Sequence, residues 1–226
     1  MIRILTTGLA LVLLLPAATQ AQDRAWAVEI GAATDNRSKA ASKSLGEPAA
    51  WIEGEWDLPS DVRLIGGAET VRSSTGADAE LSLGVGWNRE FAGVELDLTA
   101  EHKRQVGALP GTDHDAWEFT ADLERRFGRG RARVRLQHSP DGTGSTRSWT
   151  WAEAEAGYPL TERLEAIVSV GRREQVASVD YTGWSAGLVW EPSEGLEVDL
   201  RYIATDVVGG GEQYDDQLVL AVSRSF

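Results

Sequence analysis

From residue 25 to residue 226 the chain is written almost entirely in segments of about ten residues that alternate apolar side chains with small or polar ones. A side-chain period of two is that of a β-strand with two unlike faces, not of a helix. Twelve such segments can be counted, at 25–34, 50–58, 62–71, 79–88, 94–103, 116–125, 131–138, 148–158, 163–172, 181–190, 196–205 and 216–226. In the fourth, Leu81, Leu83, Val85 and Trp87 alternate with Glu80, Ser82, Gly84 and Gly86. The last runs Leu218, Leu220, Val222, Arg224 and Phe226 on one row, with Val219, Ala221, Ser223 and Ser225 on the other. It reads as a strand that carries its pattern to an aromatic final residue. A barrel's last strand does this when it pairs with the first and leaves no open edge.

The connections carry an independent pattern. Those at 59–61, 91–93, 128–130, 159–162 and 192–195 are short, and those at 35–48, 73–78, 104–115, 139–147, 174–180 and 206–215 are longer. Short and long alternate throughout, as in an outer-membrane barrel with tight periplasmic turns and longer extracellular loops. The sequence therefore predicts an all-β fold: a single antiparallel up-and-down transmembrane β-barrel of about 12 strands. The even strand number places both termini on the periplasmic side.

Residues 1–21 read as a secretory signal peptide. Arg3 is the only charge there, an apolar run spans residues 9–15, and small residues lead to Ala21. The barrel domain is then 22–226, in the bacterial outer membrane. After the signal no run of about 20 apolar residues remains, which excludes a helical membrane protein. The chain has no Cys, so disulfides and thiolate-bound metals are excluded. It has 22 basic and 35 acidic residues; without Arg3 the balance is 21 to 35, a net charge of −14. That argues against nucleic acid as a partner.

In a membrane barrel the apolar row faces lipid and the polar row faces the lumen. Trp56, Trp87, Trp117, Tyr158, Trp190 and Tyr202 fall on outward rows near strand ends, where aromatic girdles sit. The inward rows hold the predicted pore-lining residues Glu53, Glu55, Asp57, Glu95, Asp97, Glu118, Asp122, Glu153, Glu155, Glu197 and Asp199, with Arg133 and Arg135 opposing them. Glu80, Glu101, Glu124, Glu165, Arg63, Arg131 and Arg201 share those rows. Two readings stand side by side. In one, a water-filled, acidic, cation-favouring pore passes small solutes or ions. In the other, carboxylates and arginines pair across a filled interior and the barrel is a closed structural or surface-binding one. Twelve strands lie between filled eight-stranded and open sixteen-stranded barrels. The excess of carboxylates over arginines favours water inside, since burying them dry and unpaired is costly.

No catalytic, cofactor or metal motif is present. His102, His114 and His138 are scattered. His138, Ser139 and Asp141 are neighbours in sequence, which does not make a triad; Pro140-Asp141-Gly142 reads as a turn. Asp113, His114 and Asp115, and Glu212, Asp215 and Asp216, place oxygen ligands on long connections without the regular spacing of a calcium loop. The expected partners are outer-membrane lipid and lipopolysaccharide, the barrel-insertion machinery through Phe226, and small solutes or ions.

Several stretches resemble the exported bacterial family of TorF porins, formerly described as conserved hypothetical proteins. They are residues 79–97 (AELSLGVGWNREFAGVELD), 114–124 with Trp117-Glu118, 136–141 (LQHSPD), 153–160 (EAEAGYPL) and 219–226 (VLAVSRSF). The resemblance implies a porin-like role and transfers no site residue. Where such chains follow the first strand with an aromatic, Arg and Gly cluster, residues 34–38 here read TDNRS.

Overall fold

The computed structural model describes residues 25–73, 75–144 and 146–226. The predicted signal peptide lies outside them. The strands are β1 (Trp26–Ala33), β2 (Arg37–Ser38), β3 (Ala41–Ser42), β4 (Ala49–Leu58), β5 (Val62–Thr70), β6 (Ala79–Phe91), β7 (Val94–Val106), β8 (Asp115–Phe127), β9 (Gly130–Gly142), β10 (Arg147–Pro159), β11 (Leu164–Gln175), β12 (Tyr181–Ser193), β13 (Leu196–Thr205) and β14 (Gln217–Ser225). A short 3-10 turn, η1 (Glu212–Tyr214), precedes β14.

Twelve of the described strands form one closed antiparallel barrel, in the order β1-β14-β13-β12-β11-β10-β9-β8-β7-β6-β5-β4 and back to β1. Each strand pairs with its sequence neighbour, so the barrel is up-and-down. Closure reaches the final residue, where the Phe226 amide donates to the Val28 carbonyl at 2.9 Å. The start of β1 and the end of β14 both sit at the short-turn end.

The outer surface explains the alternation. Val134 and Val168 are 56% and 54% exposed, and Leu83 is 70% exposed, within a continuous apolar band. A water-soluble chain of this size does not present such a band. Aromatic side chains flank it. Trp26, Trp56, Tyr158, Trp190, Phe91 and Phe127 are exposed at the short-turn side, with Trp87 half-buried among them. At the other side Trp117 stacks on Phe119, and Trp184 lies 5.4 Å from Tyr202.

β6 to β12 run for 12 or 13 residues, longer than the segments read from the sequence. Beyond the apolar band the backbone ladders continue, but the outward side chains become polar. His102 and Arg104 reach Asp115 at 3.5 and 3.4 Å, and His138 Nδ1 lies 3.0 Å from Thr150 Oγ1. These outward cross-strand pairs form a polar collar above the band, which has no apolar alternation to betray it. The predicted Pro140-Asp141-Gly142 turn is corrected in the same way. All three residues lie in β9, and the chain turns after them, around Thr143 and Gly144.

Candidate functional site: the barrel interior

The long connection between β1 and β4 does not project outward as a surface loop. It folds into the lumen as the β2–β3 hairpin. Asp35 is its hub: buried to 1% exposure, it accepts from Arg37 Nε at 2.6 Å, Ser42 Oγ at 2.5 Å, Ser44 Oγ at 2.8 Å and the Gly46 amide at 3.2 Å. One carboxylate thus satisfies four donors and closes the loop on itself. Arg37 then anchors the loop to the wall, donating to the Asp215 carbonyl at 2.6 Å and to Gln217.

The hairpin turns through Lys39 and Ala40, both at positive φ (57° and 61°). A two-residue turn of this kind favours Asn-Gly, and a non-glycine residue here costs about 1–3 kcal/mol. The contacts at the tip offset that strain. Tyr181 Oη donates to the Lys39 carbonyl at 2.8 Å. Lys39 Nζ donates to Glu118 at 3.2 Å and lies 4.5 Å from the Trp149 ring centroid. Ala40 and Ala41 pack on an inward aromatic cluster of Trp149, Trp151, Tyr181 and Tyr214. Trp151 lies flat across the neighbouring strand because Gly171 stands there; a Cβ on Gly171 would fall within the indole. Ala40 occupies the space that a side chain on Gly183 would fill. At the hairpin's other side Lys43 bridges Glu69 and Glu80.

Below the hairpin lies a central cavity of about 660 Å³. Of the predicted lining residues, Glu53, Glu55, Glu95, Asp97, Glu118, Asp122, Glu153, Glu155, Arg133 and Arg135 all face it. Glu197 instead borders a cavity of about 410 Å³ at the short-turn end, and Asp199 one of about 400 Å³ beside the hairpin. Asp57 is exposed at the turn-side rim, paired in register with Arg63. Between the hairpin and the long connections lies a further cavity of about 290 Å³.

Many of the inward carboxylates have arginine partners. Arg63 binds Asp97 at 2.7 Å, and Arg135 holds Asp122 through two bonds of 2.8 and 2.7 Å. Arg131 bridges Glu155 at 2.9 Å and Glu165 at 3.0 Å; Arg133 reaches Glu155 and Glu153; Arg201 binds Asp199 at 2.7 Å. The β9 arginines meet acids on the adjacent β8 and β10, Arg63 and Arg131 also reach acids one strand further on, and Arg201 pairs within β13. Even so, Glu53, Glu95, Glu101 and Glu197 form no ion pair among the described residues. The central cavity is lined by twelve carboxylates and seven basic side chains. Sequence reasoning missed three of these bases, Arg37, Lys39 and Lys103, and also Lys43, which lines the cavity beyond the hairpin. Lys103 shares the parity of Glu101 and was open to detection; the other three enter the lumen only because their loop folds inward.

His138 faces outward while Ser139 is buried on the inward row, so no nucleophile–base pair forms there. Among the described residues no group of three His, Asp or Glu side chains is placed to hold a metal ion.

The family model described as "Bacterial protein of unknown function (Gcw_chp)" matches residues 24–226. The chain belongs to this family. No curated protein sequence matches this Gcw_chp chain. Among solved structures, a KdgM porin superposes with a TM-score of 0.60 at 5% identity, covering 88% of this chain and 99% of the porin. A NanC porin gives 0.59 at 8% identity over 89% and 99% of the two chains. An outer membrane channel from Pseudomonas putida F1 gives 0.59 at 10% identity over 93% and 99%. At these identities the likeness is one of fold: the Gcw_chp chain has the barrel architecture of these proteins.

Proposed function

We propose that this chain is an outer-membrane channel for passive diffusion of small hydrophilic solutes and ions. The observation that carries the reading is a chain of polar cavities along the barrel axis. The short-turn cavity shares Arg133, Glu155 and Arg201 with the central one, and the central cavity shares five residues with the one beyond the hairpin. The surrounding wall is apolar outside and charged inside, which suits a polar path through hydrocarbon and no other setting. The aromatic rings at both edges of the band match headgroup boundaries. In this placement the short turns and both ends of the barrel are periplasmic, the polar collar stands among lipopolysaccharide headgroups, and Phe226 is the feature that the barrel-insertion machinery recognises. The resemblance to TorF porins points the same way.

The excess of carboxylates in the central cavity, together with unpaired Glu53 and Glu95, supports a preference for cations. One of the similar barrels is a KdgM porin in complex with disordered oligogalacturonate. A polyanion of that kind would meet net negative charge here, so the reading for this chain is a different solute class.

The test is single-channel recording of refolded protein in a planar bilayer under a KCl gradient. Conductance steps with a cation-favouring reversal potential are expected. Silence from protein shown to be folded by heat-modifiable gel mobility would replace this reading with that of a closed barrel.

A further inference from the structure

The central and outer cavities meet at a common wall. Five residues line both: Ser38 and Lys39 on the hairpin, Glu80 on β6, Lys103 on β7 and Glu118 on β8. Ion pairs tie the hairpin to the strands here. Glu118 accepts from Lys39 and from Lys103, each at 3.2 Å, and Glu80 accepts from Lys43 at 2.9 Å. Lys39 Nζ also donates to Ser38 Oγ at 3.2 Å. This section contains two lysines and two glutamates, whereas the chamber below it is dominated by carboxylates. The strained, non-glycine turn at Lys39 and Ala40 puts this side chain there, and strain of that kind persists only where surrounding contacts hold it.

We infer that the β2–β3 hairpin is the constriction of the pore, and that Ser38 and Lys39, facing Glu80, Lys103 and Glu118, set what passes it. The inference rests on the channel reading above and deepens it. The acidic chamber gathers cations, and the lysine–glutamate section above it limits size and moderates the sign preference. Lys39 is the adjustable member, because the hairpin brings it in from one side while the other three stand on barrel strands.

The absence of cysteine makes a clean test available. Ser38→Cys changes one atom and introduces the chain's only thiol. Full-length protein in a bilayer is then exposed to methanethiosulfonate reagents carrying either a trimethylammonium or a sulfonate group, with labelling followed by intact mass. Each is expected to lower single-channel conductance about two-fold or more, the first shifting selectivity toward anions and the second toward cations. Lys39→Cys, read in the same way, covers the case in which the Ser38 variant does not fold. A thiol that resists both reagents, or that is labelled without change in conductance or selectivity, overturns the constriction while leaving the conducting wild type intact. A folded wild type that never conducts overturns the channel reading itself, and this inference with it.

Discussion

Lys39 should make ion selectivity depend on pH near neutrality. It lies on the connection between β1 and β4, outside the spanning strands, and burial brings its pKa down from 10.5 to about 8 against the opposing pull of Glu118. The groups that face it are Glu118 on β8, Lys103 on β7, Arg173 on β11, Lys43 on its own loop and the Tyr181 hydroxyl on β12. With a pKa of about 8, Lys39 is about nine-tenths protonated at pH 7 and about one-tenth at pH 9. The narrow section then loses most of one positive charge. A unit charge about 4 Å from a permeating ion is worth about 1 kcal/mol even at the dielectric constant of water, a factor of about five in a permeability ratio. Salt reduces this, so the expected rise in the cation-to-anion ratio is about two- to five-fold between pH 7 and 9 at about 0.1 M KCl. Reversal potentials across a pH series measure it, with Lys39→Gln as the control. That variant should show the high-pH ratio at every pH. A wild-type profile that stays flat, or one that Lys39→Gln leaves unchanged, would refute the placement of this lysine at the conducting path. The linked effect on stability has a definite sign. The folded state holds the Lys39 proton less tightly than the unfolded chain does, so stability increases as pH rises from about 8 toward 10.5.

Two further outcomes test the packing and the placement in lipid. Gly171→Val would drive a side chain into the Trp151 indole and, through it, into the floor beneath the hairpin; an overpacking cost of about 1–3 kcal/mol is expected, seen as a lower melting point for heat-modifiable mobility. Val168→Arg lies within the exposed apolar band and should cost about 2–4 kcal/mol of folding free energy in vesicles, measured by urea titration, while an unchanged midpoint would argue that this band does not sit in hydrocarbon.

Much of the barrel was legible because a period of two is rigid. Once Leu81, Leu83, Val85 and Trp87 were assigned outward, Glu80, Ser82, Gly84 and Gly86 had to face in, and the ladders of β6 bear this out. Connection lengths then separated a short-turn end from a long-connection end. The strand ends were less legible, because pairing between His102, Arg104 and Asp115 continues the sheet with polar residues on both faces. The hairpin could not be read at all. Its docking depends on a glycine on β12, an aromatic cluster from β10, β12 and η1, and a carboxylate on β8, none of them near it in sequence.

That hidden element changes what the acidic sequence means. Counting charges along inward rows predicts a mostly acidic lumen with one basic stripe at Arg131, Arg133 and Arg135. The structure divides those same charges into three environments. On the β8–β10 wall, arginines from β9 bind Asp122, Glu153 and Glu155, so those carboxylates are held in place and largely neutralised. On the β4–β7 wall, Glu53, Glu95 and Glu101 have no ion pair among the described residues and line the central cavity. At the hairpin, Glu80 pairs with Lys43 and Glu118 with Lys39 and Lys103, and of these lysines only Lys103 stands on a barrel strand. Selectivity in a channel depends on which charges remain uncompensated beside the path, not on how many the wall contains. Neutralising Glu95 should therefore lower cation preference, whereas replacing Asp122 and Arg135 together, which leaves the set of unpaired charges as it was, should leave it unchanged. An equal fall in cation preference from both would show that the number of carboxylates on the wall, not the unpaired ones, governs selectivity.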